Sequence, residues 1–179
     1  KGYVLHIKNG INKLGLDSDS LMESLEEQEW DTKYYDTRRS KVLNKRARYN
    51  LCFGHNSREP DYPNKKGKIV SYDDIPILKS LRTQLLNLLD EPTLECEGNY
   101  YYDIKKTGIG FHGDSERKKV VGINLTNPTN IKRELHWKWY LNSKIVSNPF
   151  VLELEHGDIY IMSTKATGFD WQRRSKRYS

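Results

Sequence analysis

The chain has 179 residues, with 30 Lys and Arg against 24 Asp and Glu and a formal net charge of +6. It is polar, with 36% hydrophobic residues and a mean hydropathy of −0.84, yet 12 Tyr and 4 Trp exclude a simple disordered tail. No run of 18 or more apolar residues occurs, so no membrane-spanning helix is expected.

The length fits one domain over residues 1–179, with a dividing line near 95/96 where the pattern changes character. Lys1-Gly2-Tyr3-Val4-Leu5-His6 lacks an apolar leader stretch, so no secretory signal is expected. Two cysteines, Cys52 and Cys96, are too few for a disulfide framework, and an intracellular, reducing compartment is the default.

Along the chain, the first predicted element is a helix over residues 18–30. Ser20 and Glu23 have the spacing of a capping box, and Leu21, Met22 and Leu25 share one face. Residues 38–48, RRSKVLNKRAR, then hold six positive charges and no acid. Residues 54–68 are rich in Gly, Pro, Asn and charge and read as a long surface loop. Asp73-Asp74-Ile75-Pro76 is a helix entry, and Ile77, Leu78, Leu81, Leu85, Leu88 and Leu89 form the stripe of the helix that follows.

From Glu97 onward the pattern is that of short strands. They are expected at 99–104, 120–125, 135–141, 150–154 and 159–162, separated by turn-formers such as Asn127-Pro128 and His156-Gly157-Asp158. Helices followed by a succession of short strands predict an α+β fold whose main body is a β barrel or jelly roll. Residues 171–179, WQRRSKRYS, add four positive charges. With both basic clusters set aside, 20 basic residues face 24 acidic ones, a net of −4. Positive charge concentrated in this way suits a polyanion partner, because each phosphate neutralised releases counterions.

The chemistry starts at Gly108-Ile109-Gly110-Phe111-His112-Gly113-Asp114-Ser115-Glu116. On an extended chain, side chains at i and i+2 point the same way, so His112 and Asp114 can reach one metal ion. One imidazole and one carboxylate, completed by a distant His, make the facial triad of non-haem Fe(II) oxygenases. Tyr34-Tyr35 and Tyr100-Tyr101-Tyr102 could stack on bases, although core packing is the commoner use of strand tyrosines.

The motifs occur in the order of the AlkB-like Fe(II)/2-oxoglutarate-dependent dioxygenases, and over residues 30–179 the chain resembles that family, especially forms from large DNA viruses and algae. Residues 44–49 sit where the family has its basic nucleotide-facing segment. Pro76-Ile77-Leu78 opens the helix before the barrel, and Asn99-Tyr100-Tyr101 resembles the N-x-Y element. His112-Gly113-Asp114-Ser115-Glu116 matches H-x-D-x-E. Residues 154–158 match the turn before the strand that leads to the distal His, and Arg177-Tyr178-Ser179 resembles the strand of oxoglutarate-binding arginines.

The resemblance implies a double-stranded β-helix (jelly roll) with flanking N-terminal helices. It implies oxidative demethylation of N-alkylated bases in DNA or RNA, in an intracellular and viral setting. His112 and Asp114 would be metal ligands. Asn99, Tyr101 (or Tyr102 in the neighbouring register) and Arg177 would bind the cofactor. Glu116 would accept from a base amino group, and Arg46 and Arg48 would contact phosphates. The family's distal His is missing from residues 163–172. Asp170 could replace it as a carboxylate ligand, a ligand could follow Ser179 in a last strand that continues, or the chain could be a degenerate relative that binds nucleic acid without catalysis. A protein hydroxylase of the same fold is a further alternative, which the two basic clusters count against.

Overall fold

Short apolar runs punctuated by Gly, Pro and Asn leave room only for short strands, and a computed structural model of the chain shows them. It describes residues 1–114, 116–141 and 144–170. In chain order the elements are β1 (Val4–Ile7), α1 (Gly10–Lys13), α2 (Ser18–Glu26), β2 (Lys33–Asp36), β3 (Lys41–Asn44), β4 (Tyr49–Gly54), β5 (Ile69–Ser71) and α3 (Pro76–Leu89). There follow β6 (Cys96–Tyr100), β7 (Val120–Asn124), β8 (Arg133–Trp137), β9 (Tyr140–Leu141), β10 (Lys144–Ile145), β11 (Phe150–Leu154) and β12 (Asp158–Met162). The fold is α+β, with few helices and mostly small antiparallel sheets. Among the described residues no helix is long and apolar enough to cross a membrane.

The chain divides into two compact units, one formed by residues 19–109 and the other by residues 1–18 with the chain from Gly110 on. In the second of these, β12 is the central strand of the sheet β1–β12–β7 and pairs antiparallel on both sides. Ile159 and Ile11 are almost wholly buried there. Burying such a side chain contributes roughly 1.5–3 kcal/mol relative to leaving it exposed. Helix α1 approaches β12 closely because Gly10 has no Cβ; one there would stand 2.7 Å from Ile159 Cγ1. Asp158 locks the turn before β12. Its carboxylate accepts from the N–H groups of Asn9 (2.7 Å) and Glu155 (2.9 Å) and lies 2.7 Å from His6 Nε2. Strands β8 and β11 form a separate antiparallel pair, Phe150 opposite Trp137 through Leu154 opposite Arg133.

In the 19–109 unit, β4 is central, parallel to β5 and antiparallel to β6. Helix α3 starts on Pro76, whose missing N–H costs nothing at the first helical position, and ends on Asp90 in the left-handed region (φ 50°). It buries Leu78, Leu81 and Leu85; Leu88, expected on the stripe, is exposed. The helix expected from residue 18 stops at Glu26, and it starts at Ser18, so Ser20 lies inside its first turn and does not cap it. The strand expected at 99–104 lies instead at Cys96–Tyr100, in register with β4 from Phe53 to Tyr49. Its sheet partners therefore come from the N-terminal half of the chain. Cys52 and Cys96 face Glu97 and Phe53 across this ladder, on opposite faces, and both are free thiols.

Candidate functional site

The chain enters the site through Phe111. Its ring meets His136 of β8 edge-on at 6.5 Å and carries the ammonium of Lys138, just after β8, 4.3 Å from its centre. The stretch that follows is held by the turn after β12. Asp114 N–H donates to Thr167 O (2.8 Å), and the Thr167 hydroxyl donates to Arg117 O (2.8 Å). Gly168 has φ 71°, and a Cβ there would stand 2.8 Å from Gly113 Cα. Gly113 and Gly168 thus let two backbones touch where side chains would separate them.

Held in this way, His112 and Asp114 approach each other, but in the loop between β6 and β7 and not on the strand end that the i, i+2 spacing supposed. His112 Nε2 lies 3.6 Å from Asp114 Oδ1. The other ring nitrogen, Nδ1, lies 2.8 Å from Gly110 O. A carbonyl can only accept, so Nδ1 carries a proton; in the neutral ring Nε2 then has a lone pair to offer a metal. A histidine bound to a metal shows the same arrangement, its second nitrogen donating to a backbone carbonyl. Asp114 Oδ2 faces Arg117 Nη1 at 3.7 Å. An open depression of about 170 Å³ is lined by Gly113, Asp114, Glu116 and Arg117, which places Glu116 at the edge of the pair.

Two donor side chains, His112 and Asp114, stand near enough to share one ion. Among the described residues no three His, Cys, Asp or Glu side chains gather to hold an ion. Asp170 is engaged by the Lys165 ammonium. His156 Nδ1 accepts the N–H of Thr126 (3.1 Å), and His136 forms an exposed pair with Glu134 (3.0 Å). Arg177, Ser115 and the second basic cluster lie outside the described residues.

Asn99 and Tyr101, expected at the cofactor, lie in the 19–109 unit on and just after β6. The Asn99 side-chain oxygen accepts from Arg48 Nε and from Asn50 Nδ2, both at 2.6 Å. Two residues that the sequence assigned to cofactor and substrate are therefore partners of each other. Tyr102 donates its hydroxyl to Arg46 O (2.7 Å), while the Arg46 side chain is exposed. The sequence reading missed Thr167 and Gly168; the only signal was a glycine inside the turn 163–168, whose contact with Gly113 is not written in local spacing.

Replacing Gly168 by Ala is expected to destabilise this unit by about 2 kcal/mol, since a left-handed non-Gly residue costs ~1–2 kcal/mol before the clash is counted. Amide exchange at Asp114, whose N–H bonds to Thr167 O, should accelerate with it. Gly108→Ala, with nothing within 4 Å of its Cβ, should be nearly neutral. Equal melting of the two variants would remove the contact with Gly113 from the account.

No protein-family model matches the chain. It is 44% identical over 175 residues to an uncharacterized protein of Acanthamoeba polyphaga mimivirus, covering 98% of this chain and 66% of that relative. The chain thus spans somewhat less than two thirds of a longer viral protein to which it is similar along nearly its whole length.

Proposed function

We propose that the chain is the catalytic part of an AlkB-like Fe(II)/2-oxoglutarate dioxygenase that removes N-linked alkyl groups from bases in DNA or RNA. The reading includes a double-stranded β-helix as the scaffold. The observation that carries it is the His112–Asp114 pair: Nδ1 is used by Gly110 O, and Nε2 lies 3.6 Å from a carboxylate oxygen. When bound, iron supplies the oxidising chemistry and the alkyl carbon leaves as an aldehyde. His112 and Asp114 would hold the ion, and Asn99, Tyr101 and Arg177 would hold 2-oxoglutarate. Glu116, on the rim of the depression beside Asp114, would accept from the base amino group. Arg46 and Arg48 would face phosphates, and the similarity to a mimivirus protein supports a viral setting.

Anaerobic addition of Fe(II) and 2-oxoglutarate should produce a metal-to-ligand charge-transfer band. Methylated oligonucleotides should then yield succinate in step with demethylation. His112→Ala should lower turnover at least about 100-fold, beyond what loss of an outer-shell contact costs. Neither band nor succinate with intact protein would end the reading.

A second reading, a catalytically degenerate nucleic-acid-binding module, is favoured by the lack of a third converging donor among the described residues. It expects salt-sensitive oligonucleotide binding without a charge-transfer band.

A further inference from the structure

Four aromatic rings of the 19–109 unit meet in a row. Trp30 lies 5.4 Å from Tyr100, Tyr100 lies 6.2 Å from Tyr49, and Tyr49 stacks on Tyr102 at 4.4 Å with an interplanar angle of 21°. The ladder explains the order. Tyr49 faces Tyr100 across β4 and β6, and Leu51 faces Gly98 one step inward on the same side. Trp30 fills the place that Gly98 leaves empty; a Cβ on Gly98 would stand 2.8 Å from the indole. Rings that served only to cover a core would be buried. Tyr100 and Tyr102 are each 39% exposed, so the row ends in open aromatic surface.

Cations gather in the hairpin segment that follows Trp30 in the same unit. Lys68, Lys79, Lys106 and Lys132 all lie against carboxylates. Arg38, Arg39, Lys41 and Arg46 are exposed, and among the described residues their side chains have no carboxylate partner. Arg46 is joined to the row, since its carbonyl accepts the Tyr102 hydroxyl. The other three lie at the turn end of the hairpin β2–β3, whose base is tied to β4 by the Asp31–Asn50 bridge. Strands of four residues put that turn roughly 13 Å from the base, at ~3.3 Å per residue. Tyr34, 41% exposed, lies between. Stacking faces followed by unpaired cations over that length match a few nucleotides with their bases unstacked from one another.

We infer that this unit carries a track for single-stranded nucleic acid, with bases stacking on Tyr102 and Tyr100 and phosphates running to Arg46 and the β2–β3 turn. The inference shares its nucleic-acid partner with the proposed function and uses none of its iron chemistry. A duplex hides its base faces, so the ring row gives it no purchase, whereas the cations would serve both.

The test uses the whole chain without added iron, a fluorescein-labelled 12-nucleotide oligo(dT), a duplex of equal length, and heparin as competitor. Oligo(dT) should bind at least about tenfold tighter than the duplex. Tyr102→Ala and Tyr100→Ala should each weaken it about tenfold, while Tyr102→Phe, which keeps the ring and loses the bond to Arg46 O, should bind within about twofold of wild type. Replacing Arg38, Arg39, Lys41 and Arg46 together by Ala should flatten the slope of log affinity against log salt by up to about three units. Equal binding of duplex and oligo(dT), or an unchanged affinity in Tyr102→Ala with the fold intact by circular dichroism, would overturn the track. Both would leave a simple polyanion patch. Succinate formation with no oligo(dT) preference would remove this inference and leave the proposed function standing; the opposite pattern would do the reverse.

Discussion

Asp158→Ala should be among the most destabilising single substitutions in the unit that carries His112, at about 3–5 kcal/mol. The Asp158 side chain is 3% exposed and satisfies three donors at once: the N–H groups of Asn9 and Glu155 and the His6 ring. Removing the carboxylate takes the shared acceptor from all three part-buried donors, at up to ~1–3 kcal/mol each. A unit of this size loses roughly 4–8 °C of Tm per kcal/mol, so calorimetry should show a fall of about 12–40 °C. Asp158→Asn keeps one acceptor and should lose about half as much. A fall of only a degree or two in Asp158→Ala would show that the turn is held by something else.

The same carboxylate gives this unit an acid limb. Burial alone would raise the Asp158 pKa, but the N–H bonds from Glu155 and Asn9 and the His6 contact outweigh burial and hold it below the ordinary value. As pH falls, the unfolded chain therefore takes up the proton before the folded one does. Stability from Asp158 is complete above the ordinary Asp range near pH 4 and is lost as pH drops through the depressed folded value. In Asp158→Asn the unfolding midpoint should depend less on pH below about 4 than in wild type.

Local pattern was legible where one element could be read without knowing its partner. The apolar runs at Val120–Asn124, Phe150–Leu154 and Asp158–Met162 are strands within a residue or two of expectation, and Pro76 marks the start of α3. What pattern could not supply was pairing at long range. β1 has only four residues, and its partner β12 lies more than 150 residues away, so no local signal announced it. β2 and β3 hold two aromatic or aliphatic residues each within a charge run, and the charge hid the strands. The tyrosine triplet 100–102 drew the expected strand C-terminally by propensity alone, whereas pairing with β4 fixes it at Cys96–Tyr100.

At the candidate site, the spacing picked out His112 and Asp114, which do lie close, although in a loop and not on an extended strand. It could not show that Nδ1 would be used by Gly110 O, that Gly168 would press on Gly113, or that Arg48 would take the Asn99 oxygen. Each is a contact fixed by a loop's tertiary path, and a loop's path is the least local thing about it. The tyrosines of residues 100–102 were better explained as packing by composition alone. Tyr100 and Tyr102 do pack, both against Tyr49, yet each keeps much of its ring exposed, which sequence does not show.

In the 19–109 unit the corresponding large effect belongs to Asp31. Its side chain is 5% exposed and accepts from the Tyr62 hydroxyl (2.6 Å) and the N–H groups of Lys68 (3.2 Å) and Lys33 (3.3 Å), with Lys45 Nζ at 3.8 Å. A Cβ on Gly67 would come within 3.1 Å of its Oδ2, so the loop closes over it. Asp31→Ala should cost about 3–5 kcal/mol and abolish slow amide exchange over residues 31–69, because one carboxylate ties the base of the β2–β3 hairpin to the loop before β5. Tyr62→Phe removes only one donor and should cost about 1–1.5 kcal/mol. Burial first, and the bond to the Asp31 carboxylate second, raise the Tyr62 pKa well above its ordinary value. The unfolded chain then releases the phenol proton before the folded one, so this contribution is complete below pH ~10 and falls as pH rises beyond it. Tyr62→Phe should lack that alkaline loss, which separates the bond from mere packing of the ring. An Asp31→Ala protein that melts with wild type would mean that the hairpin is fixed without its carboxylate, and the cationic track would then need another anchor.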